Sequence, residues 1–125
     1  MIRSEIIKKL RPEIKKASTS EQTSTEEYVQ NTVLRPVIKL QHELITEMVF
    51  ASISKTNAAY KELSKEKLTG FLDSIFTKDK NLRNQLIGVI IAFFTLEELQ
   101  TYRTIEKECN KRMLQICKER ILSNL

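Results

Sequence analysis

Apolar residues recur every three or four positions along most of this chain, which is the spacing that places side chains on one face of an α-helix. Glycine and proline, the residues that most often form turns, occur only twice each in 125 residues. Few turns are therefore available, and long helices fit the chain better than many short strands. The sequence predicts an all-α fold, a helical bundle of four main helices plus an N-terminal helix.

The apolar pattern divides the chain into three parts. Residues 1–17 are expected to form an N-terminal helical arm, residues 18–24 a polar linker without apolar side chains, and residues 25–125 the helical bundle domain. Pro12 is expected to end or kink the helix of the arm, because proline lacks the backbone N–H that a helix interior requires. A chain of this length can bury a core without disulfides or metals.

Helix-capping residues mark the expected starts of the four main helices: Ser24, Ser64, Asp79 or Asn81, and Thr95. A glutamate three residues after Ser24, and another after Thr95, completes the spacing of a capping box. Pro36 lies inside the first of these helices, so a kink or break is expected at Arg35.

The two longest predicted helices suggest self-association. They run over residues 25–56 and from Thr95 to about Leu122, so each would span roughly 40–48 Å. A compact domain of this size is only roughly 30 Å across. The helices must either kink or project and pack on a second copy, and we therefore predict a homodimer.

The apolar run from Leu86 to Phe94 is expected at the centre of the bundle, because it covers every face of its helix. A buried β-strand is the alternative for this run, but no second strand-like segment could pair with it. Gly88 is expected to let another helix approach closely. The run has nine residues, and a membrane span needs about 20, so no membrane segment is predicted.

The net charge of +5 is concentrated at the two ends of the chain. Residues 1–17 carry six basic against two acidic side chains, and residues 103–125 carry six against three. Basic ends can attract nucleic acid or anionic lipid. Solvated helix faces are the favoured interpretation, because glutamates are interleaved with the basic residues and no aromatic stacking motif or helix-turn-helix signal accompanies them.

Few residues could carry catalysis or hold a metal. His42 is the only histidine, and in the pattern of a zinc-protease helix the second histidine is replaced by Thr46. No glycine-rich phosphate loop or serine nucleophile motif occurs. Cys109 and Cys117 lie about 12 Å apart along one predicted helix, too far to form a disulfide within it. We expect two buried, reduced thiols in a cytoplasmic protein, with no metal and no cofactor.

Several polar residues lie among predicted core positions: Arg35, Lys39, Arg83, Asn84, Tyr102, Asn110 and Arg112. Together they could form a binding site for a carboxylate or a phosphate. The alternative, which we favour, is that they form salt bridges between helices, with Glu43, Glu98 or Glu106 as partners.

Three motifs also resemble those of a known group of proteins. They are Asn31-x-x-Leu-Arg-Pro-x-x-Lys-Leu-Gln41, Leu82-Arg-Asn84 continuing to Phe94-Thr-x-Glu-Glu98, and Asn110-Lys-Arg112. Over residues 10–125 the chain resembles a family of small bacterial helical proteins, some of which carry the label glyoxalase. The resemblance implies a shared fold group and no established activity.

These observations lead to three functional expectations. The first is a cytoplasmic, non-enzymatic protein that acts by self-association or by binding a protein partner. The second is a protein or enzyme that binds a small anion through the arginine, asparagine and tyrosine residues between its helices. The third is weak nucleic-acid binding through the basic ends, which would fall steeply as salt concentration rises.

Overall fold

The computed structural model describes residues 2–12 and 24–125, and within them every regular element is helical, which confirms the all-α prediction. Eight α-helices, a π-helical turn and a short 3₁₀ turn follow one another along the described chain. They are α1 (Arg3–Leu10), α2 (Thr25–Val29), the π turn (Gln30–Leu34), α3 (Arg35–Leu40), α4 (His42–Thr56), the 3₁₀ turn (Tyr60–Glu62), α5 (Lys65–Lys78), α6 (Lys80–Ile91), α7 (Leu96–Thr104) and α8 (Glu106–Ser123).

A single apolar core joins helices α2 to α8. Helices α4, α5 and α6 pack against one another, α8 packs against α5 and α6, and α3, α7 and the π turn also pack against α8. The core consists of aliphatic and aromatic side chains that are almost completely buried, among them Leu34, Ile38, Ile45, Val49, Ile53, Leu72, Leu86, Ile90, Phe94 and Met113. Cys109 and Cys117 are also buried, as free thiols on α8, in agreement with the sequence-based prediction.

The predicted helix starts are confirmed. The hydroxyls of Ser24 and Ser64 each accept a hydrogen bond from a backbone N–H three residues later. Thr95 and Glu98 form a complete capping box at the start of α7. Asp79 caps α6, where its carboxylate accepts from the backbone N–H of Leu82. Each of these starts is set by residues that are close in sequence.

Replacing Asp79 by alanine is expected to lower the free energy of unfolding by about 1 kcal/mol, the usual cost of losing an N-cap. Its second carboxylate oxygen also accepts from the Ser52 hydroxyl at 2.6 Å, which ties α6 to α4. Urea unfolding near neutral pH measures the effect, with Asp79→Asn as the control that keeps the capping oxygen. Equal stability of the alanine variant and the wild type would contradict the prediction.

The kink expected at Arg35 is wrong in position. Arg35 keeps helical angles, with φ −61° and ψ −47°, and the irregularity lies just before it, in the π turn. There the backbone N–H of Arg35 donates to the carbonyl of Gln30, five residues earlier. The wider turn leaves room for the ring of Pro36, which in a regular α-helix would clash with the carbonyl four residues before it.

The predicted count of four long helices also needs correction. The first of them is interrupted at Gln41 (φ −94°, ψ 10°), and the last is divided at Ile105 (φ −130°, ψ 28°) into α7 and α8. Neither reaches the length expected from the sequence. The homodimer prediction therefore loses its original support, which was helix length.

Helix α6 packs against α4, α5 and α8, but it is not buried on every face as expected. It buries Leu82, Leu86 and Ile90 on one face, whereas Gly88 is exposed and no atom lies within 4 Å of the position a Cβ would take there. Gly88 therefore does not mediate a close helix contact. The helix with the broadest packing is α8, which lies against α3, α5, α6, α7 and the π turn.

Two arginines attach helix α1 to the bundle. Arg3 donates to the carbonyls of Phe94 and Ala92, at 2.6 and 2.7 Å, and Arg11 donates to the carbonyl of Phe93 at 2.7 Å. These carbonyls follow the C-terminal end of α6, where unpaired carbonyl groups and the helix dipole attract cations. The helix ends at Leu10, before Pro12 as expected, and the remainder of the predicted arm and linker, residues 13–23, lies outside the described residues.

Helical membrane spans must be long and strongly apolar. None of the described helices combines the length and the apolar character that crossing a bilayer needs.

Candidate functional site

A basic groove lies between α3 and the C-terminal half of α8. Its volume is about 610 Å³ and it opens to solvent. We use the name basic groove for the surface lined by Arg35, Ile38, Lys39, Ile116, Glu119, Arg120 and Ser123. The two isoleucines are buried and form its apolar floor, and the other side chains surround that floor.

Helix α3 positions one side of the groove. Arg35 and Lys39 are four residues apart, so they lie one above the other on the same helix face. Ile38 is almost completely buried on the side that packs against α8. Because the π turn precedes Arg35 immediately, this turn sets which face of α3 carries the two cations.

Helix α8 positions the other side, and a contact with α4 orients its arginine. The Nε of Arg120 donates to the Nδ1 of His42 at 3.1 Å. Burial and the positive charge of Arg120 both lower the pKa of His42, so its ring is neutral near pH 7 and Nδ1 can accept this bond. The remaining guanidinium nitrogens of Arg120 form no hydrogen bond with any residue that the structure describes.

Carboxylates of the described residues neutralise the positive charge of the groove only in part. Within residues 2–12 and 24–125, the ion pairs are Arg11 with Glu98 and Lys118 with Asp73. The three cations of the groove form none, and the one carboxylate on its edge, Glu119, accepts a hydrogen bond from Gln115 at 3.1 Å. Three basic side chains therefore face one acidic side chain beside an apolar floor, which favours an anion.

The structure brings together two of the seven residues proposed from the sequence, Arg35 and Lys39. Arg112 is exposed on α8, one helical turn before Ile116, and does not line the groove. Arg83 donates to the carbonyls of Phe76 and Thr77 and so satisfies the C-terminal end of α5.

The other three proposed residues also lie outside the basic groove. Asn84 is exposed on α6. The hydroxyl of Tyr102 donates to the side-chain oxygen of Asn110, which connects α7 to α8 across the break at Ile105. Burial, together with the nearby Glu106 carboxylate, raises the pKa of Tyr102, so its hydroxyl stays protonated and able to donate.

None of the seven residues forms the salt bridges that the sequence analysis favoured, within the part of the chain that the structure describes. Glu98 is paired instead with Arg11, which comes from the arm. Arg120 lines the groove but was not among the residues proposed from the sequence. The sequence did contain an indication: Arg120 lies four residues after the apolar Ile116, and this spacing places both side chains on the same face of the last helix.

The two thiols lie in the core and are poor nucleophiles. Burial raises the pKa of Cys109 to about 11 and that of Cys117 to about 12. Both are therefore protonated near neutral pH, and a protonated thiol is a poor nucleophile and metal ligand. Among the described residues no three histidine, cysteine or carboxylate side chains are grouped closely enough to hold a metal ion.

Comparison with known proteins adds no further identification. No model of a known protein family, no curated protein and no solved structure matches this chain.

Proposed function

We propose that this chain is a binding protein whose basic groove takes a small organic ligand bearing a phosphate or carboxylate group. One observation supports the proposal above all: Arg35, Lys39 and Arg120 line one groove, and none of them is paired with a carboxylate of the described chain. Arg3 and Arg11, by contrast, are directed to backbone carbonyls and to Glu98.

The groove suits such a ligand in shape as well as in charge. Ligand pockets of proteins commonly have volumes of about 300–1,000 Å³, and the groove lies within that range. The planar guanidinium groups of Arg35 and Arg120 can each donate two parallel hydrogen bonds to an oxyanion. The apolar floor of Ile38 and Ile116 offers a surface for the carbon skeleton of the ligand.

Binding without catalysis is the function that these side chains support. The hydroxyl of Ser123, on the edge of the groove, donates to the carbonyl of Arg120 at 2.9 Å. The neutral imidazole beside the groove, His42, uses Nδ1 to accept from Arg120. A nucleophile activated by a neighbouring base is therefore not assembled at this site.

Replacing Arg35 by glutamine is expected to weaken anion binding by about tenfold or more, because a charge-assisted hydrogen bond contributes roughly 1.5–3 kcal/mol. The same loss is expected for Arg120→Gln. Titration calorimetry with inorganic phosphate and with glycerol phosphate measures both variants. Arg103→Gln is the matched control, since it removes the same charge from an exposed position on α7.

The control separates a specific site from general charge. We expect Arg103→Gln to change the affinity by less than about twofold. Equal weakening by all three substitutions would contradict the proposed site, as would the absence of phosphate binding to the wild-type chain.

Nucleic-acid binding through the basic ends has less support. Arg3 and Arg11, two of the cations at the N-terminal end, are engaged with backbone carbonyls and with Glu98. Self-association, the function expected first from the sequence, is compatible with a binding groove between α3 and α8, and so is a cytoplasmic location.

A further inference from the structure

Helix α1 carries an exposed apolar surface that the bundle does not cover. Ile2, Ile6 and Leu10 are 60%, 47% and 52% exposed, and they are spaced four residues apart. We call these three residues the α1 stripe. Leu96, at the start of α7, is 70% exposed and lines the same small cleft as Ile2. An apolar row of this kind, together with a neighbouring exposed leucine, is typical of a contact surface.

Helix α1 is anchored to the bundle along the face next to the α1 stripe. Ile7 is 5% exposed and faces the bundle, and Arg3 and Arg11 attach the two ends of the helix to backbone carbonyls and to Glu98. The exposed stripe is therefore presented by an anchored helix. Its exposure is not a consequence of a detached chain end.

Charged residues beside the stripe indicate what covers it. Glu5 and Lys9 lie on one flank of the stripe, both exposed, and neither is ion-paired within the described residues. Two α1 helices that cross antiparallel about a two-fold axis at Ile6 would place Ile2 of one copy beside Leu10 of the other. The same arrangement brings Glu5 of each copy within about 3 Å, along the helix axis, of Lys9 of the other.

We propose that the chain forms a homodimer through the α1 stripe, with two antiparallel α1 helices and reciprocal Glu5–Lys9 pairs. The surface is complementary to itself in apolar contact and in charge, which a two-fold symmetric interface requires. A short helix buries less area than a standard stable interface, so the dimer is weak and forms at high micromolar concentration. The interface does not involve the basic groove, which lies on α3 and α8.

Sedimentation equilibrium over a concentration series tests the dimer. Wild-type chain is expected to shift from monomer to dimer as its concentration rises, and Ile6→Glu is expected to remain monomeric because it buries two carboxylates on the symmetry axis. Leu44→Glu is the matched control, since Leu44 is 48% exposed on α4. It is expected to dimerise like the wild type, and circular dichroism confirms that each variant is folded.

A mixing experiment tests the antiparallel geometry. Glu5→Lys and Lys9→Glu each place like charges across the proposed interface, so each variant alone is expected to dimerise several-fold more weakly than the wild type. An equimolar mixture restores opposite charges and is expected to recover dimerisation. Stabilisation of α1 within one chain cannot explain recovery on mixing, because each helix remains unchanged.

Three results would overturn the proposal. The first is a wild-type chain that stays monomeric at high micromolar concentration. The second is a failure of either variant test: the Ile6→Glu variant still dimerises, or the equimolar mixture of Glu5→Lys and Lys9→Glu does not recover dimerisation. The third is a chain that stays monomeric but binds vesicles of anionic phospholipid through the α1 stripe, which would assign this face to a lipid surface.

Discussion

Replacing Phe94 by alanine is expected to lower the free energy of unfolding by about 4 kcal/mol, one of the largest effects of any single substitution in this chain. Phe94 is 2% exposed and its ring packs edge-on against Tyr102, with ring centroids 5.7 Å apart and planes at 74°. Truncation would leave a cavity between α6 and α7 and remove the aromatic pair. Urea unfolding followed by circular dichroism measures the change.

The neighbouring residue provides the control. Phe93 is only partly buried, so Phe93→Ala is expected to cost clearly less than Phe94→Ala. Both residues offer their carbonyls to arginines of the arm, and these carbonyls remain in either variant. If the two substitutions were equally costly, the packing of Phe94 in the core would not be the source of its effect.

Replacing Arg11 by alanine is expected to cost about 3 kcal/mol near pH 7, because it leaves Glu98 partly buried without its charge partner. The two terminal guanidinium nitrogens of Arg11, Nη1 and Nη2, donate to the Glu98 carboxylate, and the two side chains are only 9% and 18% exposed. Burial alone would raise the pKa of Glu98. Hydrogen bonds from Arg11 and Thr95 more than compensate, so the pKa of this carboxyl is below its ordinary value.

The sign of the pH dependence follows from that lowered pKa. The pair contributes fully above the unfolded pKa of glutamate, about 4.3, and its contribution is lost as pH falls through the lower pKa of the folded state. The stability difference between wild type and Arg11→Ala is therefore expected to be at its full size near neutral pH and to shrink as pH falls below about 4.3. Urea unfolding at a series of pH values measures it, and a difference that is constant or grows in acid would contradict the role given to the pair.

Features set by neighbouring residues could be predicted from the sequence. The caps at Ser64, Asp79 and Thr95 are examples, because each depends on a side chain and a backbone N–H three residues apart. The apolar stripes identified most core positions for the same reason. In both cases the contact partner is fixed by helix geometry alone.

Features set by distant residues could not be predicted in this way. The interruptions at Gln41 and Ile105 carry no proline or glycine, and the residues around them give no break signal. The Arg11–Glu98 pair joins residues 87 positions apart. Its partners come from the arm and from a capping box, and no local pattern connects them.

The candidate site combines residues that local sequence spacing predicts with a residue that only the packing of distant helices brings to it. Arg35 and Lys39 were found from the sequence because they interrupt an apolar stripe at helical spacing. The groove itself exists only because α3 packs on α8, which brings Arg120 from 78 residues away into contact with His42. The same criterion, a polar residue among apolar ones, also selected Arg83, Tyr102 and Asn110. In the fold, Arg83 bonds carbonyls at the end of α5, and Tyr102 bonds Asn110 between α7 and α8.

The central claim, that the basic groove is an anion site, is tested most directly by nuclear magnetic resonance. In a titration with inorganic phosphate, the signals of Arg35, Lys39, Arg120 and Ser123 are expected to shift together along one saturating curve, while those of Arg83 and Arg103 stay in place. Shifts spread over all exposed basic residues without saturation, or a saturating response centred elsewhere on the chain, would contradict the claim.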